Sequence, residues 1–251
     1  MEAVSAAMGV LDRFSRNAHR RACFRYAGLW IGVAILALAA RSVRSQSAAG
    51  PDATDDTVTA QTVYAPKTAP ESELVATGLG SFGHFHIFAN SWWSYLDIAS
   101  VEYDRHTWGR AAGARMDYSA EVQPMVLLWQ PSKQTVWGTP ASKQHEFVYG
   151  VGVMPIGLRM LWRDKRSFKP YLVAKGGLLG FDKKALSSQS SYMEFSLQIG
   201  LGAQFRLTPR WDGRVGFTYF HFSNGFMVPS NPGLDSATYT CGLAYHLGGA
   251  R

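Results

Sequence analysis

The chain has 251 residues, 47% of them hydrophobic and 17% charged, with 25 glycines and 2 cysteines. That composition is too apolar for a disordered protein and is enough for one large domain or two small ones. The formal charge of +7 raises the question of an acidic partner, but seven of the 25 basic residues lie in residues 1–45 beside only two acids, which leaves +2 for the rest. The basic excess therefore belongs to a leader, and no nucleic-acid partner is expected.

The leader, residues 1–45, has the three parts of a secretory signal: an arginine-rich stretch ending at Arg25, an apolar run from Tyr26 to Ala40, and small residues near Val43 and Ser45. The 15 residues of the apolar run fall short of the roughly 20 that a spanning helix needs. Cleavage near Gln46 is thus expected in preference to a membrane-anchoring helix. Cys23 precedes the apolar run, so it is no lipoprotein acceptor, and its removal would leave Cys241 alone without a disulfide partner. Residues 46–72 are rich in Ser, Thr, Ala, Pro and Asp and show no apolar period, which reads as a flexible linker. The folded domain is expected over 73–251.

From Glu73 onward, alternation at period two recurs. Its longest case runs from Tyr192 to Leu207, where Met193, Phe195, Leu197, Ile199, Leu201, Ala203, Phe205 and Leu207 share one face and the polar residues share the other. This exceeds the usual strand of roughly five or six residues and suits a membrane-barrel strand. The pattern predicts eight strands, at about 73–81, 94–106, 113–126, 147–163, 169–181, 192–206, 211–223 and 235–247. The parity of the fourth slips near Pro155, where a bulge is expected. Connections one, three, five and seven are long, and the others are short. This asymmetry, with Trp108, Trp162 and Trp211 at the short turns, is the outer-membrane pattern of external loops, periplasmic turns and an aromatic girdle.

The expected fold is therefore all-β, an eight-stranded antiparallel outer-membrane β-barrel. A soluble lipocalin-like barrel that keeps its apolar face inside is the alternative. The membrane form is preferred because Arg115, Asp117, Glu121, Glu194, Gly200, Gly202 and Arg206 share the polar face, as a narrow interior filled by paired polar side chains requires.

Strand seven places Trp211, Val215, Phe217, Tyr219, His221 and Ser223 on the outward face, and strand eight places Asp235, Ala237, Tyr239 and Cys241 there. The hairpin joining them lies at the long-loop end, so His221, Ser223 and Asp235 converge near the external interface. An imidazole that accepts a serine proton and is oriented by a carboxylate is what an ester-cleaving nucleophile needs. The other reading of these three is surface polar residues near strand ends, although polar groups facing lipid are costly. Asn224, Gly225 and Asn231 are the candidate oxyanion donors, or alternatively only turn residues. Phe217, Tyr219, Ala237 and Tyr239 are the expected acyl-chain groove. His84 and His86 share a face, but no further ligand lies at metal spacing, and no metal is expected.

His221-Phe222-Ser223-Asn224-Gly225, followed by Asn231-Pro232-Gly233-Leu234-Asp235, resembles the His-X-Ser-Asn and Asn-Pro-Gly-X-acid pattern of the lipid A 3-O-deacylase (PagL) or acyloxyacyl hydrolase-like family. Weaker similarity extends from about Glu73 to the C-terminus, including Gly152 to Leu158. The resemblance implies an integral outer-membrane serine esterase that needs no cofactor and removes an ester-linked acyl chain from lipid A of lipopolysaccharide. It also implies that Ser223 is the nucleophile, His221 the general base and Asp235 the orienting acid. The pattern usually has Glu where this chain has Asp235, so a closer approach of the two strands is required. A small outer-membrane barrel with a structural or adhesion role is the competing expectation.

Overall fold

A computed structural model of the chain describes residues 71–89, 91 and 93–247; the expected leader and most of the expected linker lie outside the described residues. Each alternating segment is a strand: β1 (Ser72–His84), β2 (Tyr95–Ala111), β3 (Ala114–Pro131), β4 (His145–Leu161), β5 (Phe168–Phe181), β6 (Met193–Arg206), β7 (Trp211–Ser223) and β8 (Leu234–His246). They pair antiparallel in chain order, and β8 returns to β1 to close the barrel. Closure satisfies the edge hydrogen bonds that an open sheet would present to lipid.

Alternation assigns the two faces. Leu74, Val101, Val122, Ile156, Leu172, Leu201 and Val215 are exposed on the wall, while Glu73, Asp104, Arg115, Asp117, Arg159, Lys175 and Arg214 are buried within. An apolar exterior around a charged interior is the wall of an integral outer-membrane β-barrel. It is the reverse of a lipocalin-like barrel.

The interior is zoned, which corrects the expectation of a polar filling throughout. Toward the short turns, Arg159 reaches Asp117 at 2.6 Å, Asp104 at 2.8 Å and Glu73 at 3.1 Å. Lys175 bridges Glu102 and Glu121 in the same layer. Toward the long loops, Leu96, Leu128, Val148, Phe181, Phe220, Phe222 and Leu234 pack with Leu186, a loop residue, into an apolar cluster. Loop residues close that mouth, and an enclosed space packs as a soluble core does.

The connections sort by end. Segments 85–94, 132–144, 182–192 and 224–233 lie at one rim, and 112–113, 162–167 and 207–210 at the other. The first inner turn is tighter than expected: Ala112 and Gly113 adopt φ of 48° and 75°, the doubly left-handed backbone of a two-residue hairpin. The register shifts between Val153 and Ile156, around Pro155, as the parity slip predicts. A further shift between Gln123 and Val126 accommodates Pro124, so β3 continues past its expected end to Pro131. At the inner rim, the Trp162 indole donates to the Ala112 carbonyl at 3.0 Å and Trp211 packs on Tyr245.

Candidate active site

The β7–β8 register sets His221 directly opposite Asp235, and their side chains share the outer face. A direct cross-strand pair brings Cβ atoms within about 5 Å. That closeness is why an aspartate, one methylene short of the family pattern, still reaches: His221 Nδ1 lies 2.7 Å from Asp235 Oδ1. Two residues along β7, Ser223 Oγ lies 3.3 Å from His221 Nε2. An ionised carboxylate only accepts, so Nδ1 carries the ring hydrogen and Nε2 is left to accept from the serine hydroxyl. The structure thus brings His221, Ser223 and Asp235 into one hydrogen-bonded line.

Asp235 is fully buried although it sits on the lipid-facing side of its strand, because the first outer loop folds over it. Its Oδ2 accepts from three consecutive peptide N–H groups, Ile87 at 2.7 Å, Phe88 at 2.7 Å and Ala89 at 3.0 Å. Its Oδ1 also accepts from the Tyr219 hydroxyl at 2.7 Å. The Phe85 and Ser91 N–H groups donate to the Asp235 and Gly233 carbonyls and pin the loop on both sides. A Cβ at Gly233 would stand 3.0 Å from the Ala89 Cβ and 3.3 Å from His221 Cε1, so a larger residue there would hold the loop off. The Phe88 ring packs edge-on to the His221 ring at 5.6 Å.

Below the three residues the wall is aromatic. Phe217 and Tyr239 are exposed, and Phe82 stacks on Tyr239 at 4.7 Å and meets Phe217 edge-on at 6.1 Å. One groove expectation is corrected. Ala237 is covered, packed below Gly83, and offers no open surface. Tyr219 packs its ring against Phe85 and commits its hydroxyl to Asp235. Phe82 and Phe85 were not anticipated. Phe82 extends the outward series Leu74, Ala76, Gly78 and Gly80 by one more step, a signal that was readable; the loop N–H groups left none.

The oxyanion expectations divide. Asn224 points inward and is buried, its Nδ2 donating to Ser190 Oγ at 3.0 Å and to the Ser230 carbonyl at 2.7 Å. Its side chain clasps the fourth outer loop to the third, which corrects its placement as a donor beside the nucleophile. Gly225 holds φ of 60° with its Cβ position against the Phe195 ring, a turn conformation that favours glycine. Asn231 is half-buried, with Oδ1 accepting no hydrogen bond from the described residues. His84 Nε2 pairs with the Ser94 carbonyl at 2.5 Å, and Cys241 is exposed on the wall.

A family model described as lipid A 3-O-deacylase (PagL) matches residues 89–244, a span that contains all three residues of the line. No curated protein matches the chain. Among solved structures the chain is similar to the outer membrane enzyme PagL, at 16% identity over 68% of this chain and 97% of that one, with a TM-score of 0.45. It is also similar to Neisserial surface protein A, at 14% identity over 70% and 96% with a TM-score of 0.38. A third is the outer membrane protein OprG from Pseudomonas aeruginosa, at 9% identity over 72% and 97% with a TM-score of 0.43.

Proposed function

This chain belongs to the lipid A 3-O-deacylase (PagL) family, and from that premise we propose that it is an outer-membrane serine esterase that removes an ester-linked acyl chain from lipid A in the outer leaflet. The observation that carries the reading is the line Ser223 Oγ, His221 Nε2, His221 Nδ1, Asp235 Oδ1, with distances of 3.3 Å and 2.7 Å, on the lipid-facing wall at the long-loop rim. The leader in residues 1–45 would export the chain and be cleaved near Gln46, leaving residues 46–72 as a linker ahead of the barrel domain.

In this reading His221 Nε2 takes the hydroxyl proton as Ser223 Oγ attacks the ester carbonyl, and Asp235 stabilises the imidazolium that forms. The tetrahedral intermediate places a negative charge on the former carbonyl oxygen. The Gly225 peptide N–H and the Asn231 amide are the groups proposed to receive that charge. Collapse expels the sugar hydroxyl, which recovers the proton from His221. A water activated by the same imidazole then cleaves the acyl-enzyme and releases the fatty acid. The acyl chain lies against Phe82, Phe217 and Tyr239 while the sugar stays at the interface, since an eight-stranded interior filled with side chains has no tunnel for it.

Mass spectrometry of lipid A from cells with and without the protein tests this. The wild type should remove one acyl chain, and Ser223→Ala and His221→Ala should remove none while keeping the heat-modifiable gel mobility of a folded barrel. Acyl loss with Ser223→Ala would remove the nucleophile assignment. Unchanged lipid A with a folded wild type would favour a structural or adhesion role.

A further inference from the structure

Asp235 receives five hydrogen bonds, and only one comes from His221. We propose that Tyr219 and the peptide N–H groups of Ile87, Phe88 and Ala89 are positioning groups for the reaction, which makes the first outer loop part of the catalytic apparatus. The inference rests on the Ser-His-Asp reading above.

A carboxylate free to turn about its own side chain presents either oxygen, or neither, to an imidazole. Here the three loop N–H groups converge on Oδ2, and bonds to an ionised carboxylate are of the strong, charge-assisted kind. With Oδ2 held, Oδ1 faces His221, and the Tyr219 hydroxyl fixes it from the other side along β7. The same groups supply the polar contacts that water would provide elsewhere, so a charge on the lipid side of a strand is tolerated. A loop held to the wall for stability alone would need only its backbone bonds to the Asp235 and Gly233 carbonyls. Three further N–H groups turned onto one carboxylate oxygen serve the carboxylate.

Detergent-solubilised full-length protein acting on lipid A gives the test. Tyr219→Phe keeps the ring and deletes the hydroxyl; Ile87→Pro deletes one N–H, and Ile87→Ala keeps it. Tyr219→Phe should lower kcat about tenfold with KM within about twofold, the signature of lost positioning and not of lost substrate contact. Ile87→Pro should lose about tenfold more kcat than Ile87→Ala. Independently of activity, the amides of 87–89 should exchange slowly in the wild type, fast in Asp235→Ala and slowly in Ser223→Ala.

Wild-type kcat in Tyr219→Phe, or equal kcat in the two Ile87 variants, overturns the proposal if Ser223→Ala is inactive in the same assay. So does slow amide exchange in Asp235→Ala. If Ile87→Pro does not fold, Tyr219→Phe and the exchange measurement decide. Failure of the underlying reading looks different: Ser223→Ala turns over, or the wild type does not, while fast exchange in Asp235→Ala still shows the carboxylate holding the loop.

Discussion

Asp235 shows how a register substitutes for side-chain length. Its position opposite His221 supplies the reach that a longer acid would otherwise provide, and the loop has closed over the shorter side chain with N–H contacts of 2.7 to 3.0 Å. Asp235→Glu must therefore push the loop outward or bend the carboxylate away from the imidazole. We expect it to lower lipid A turnover about tenfold, yet to stay well above Asp235→Ala, which removes the orienting member of the line altogether. Wild-type turnover by Asp235→Glu would show that the loop yields freely. His221, Ser223 and Asp235 were legible because residue type and strand parity are both written in the chain. The parity that places Phe220 and Phe222 inside also places Asn224 inside, so its inward direction was readable two residues further on. The peptide N–H groups around Asp235 were not, since every residue but proline carries one and only the path of the loop aims them.

At the scale of the element, β7 carries two functions on alternate residues. Phe217 faces out among aromatics beside the site, and Phe220 is fully buried in the upper cluster. Phe217→Ala should raise KM for lipid A or alter the preferred chain length, with folded-barrel yield unchanged. Phe220→Ala leaves a cavity and should cost about 3–5 kcal/mol of stability, read as a lower unfolding midpoint in denaturant with chain preference intact. The reverse pattern would place the acyl chain inside the barrel. Strand existence, faces and the Pro155 bulge follow from period two, which the sequence displays wherever lipid touches one face and the interior the other. Strand ends follow it less well. In β2 the alternation fades after His106 while the pairing resumes at Arg110 and Ala111, because residues 107–111 are exposed on both faces and hydrogen bonding alone continues the strand.

Across the whole molecule, burial decides which ion pairs matter, and two arginines near the inner rim make the comparison. Arg159 is completely buried among Glu73, Asp104 and Asp117. Arg110 pairs with Asp164 at 3.1 Å, but half of its side chain is exposed. Burial pushes the Asp164 carboxyl up, yet the hydrogen bonds and charge of Arg110 outweigh it and hold that carboxyl below its ordinary value. A carboxyl lowered on folding contributes stability above its unfolded value, about 3.9, and loses it as the pH falls through the folded one. The Arg110 pair is thus intact at neutral pH, but solvent screening at its exposed guanidinium leaves it little weight in stability. Arg110→Gln should shift the unfolding midpoint little at pH 7. Arg159→Gln takes the fully buried cation away from three acids, leaving Asp117 to Arg115 and Asp104 to Arg214, and should cost about 3–5 kcal/mol. At matched folded protein its lipid A turnover should remain near wild type, because the reacting line sits at the opposite rim. Equal denaturation midpoints for the two variants would show that water reaches the inner layer, and the charged interior would then have to be reinterpreted as a hydrated passage.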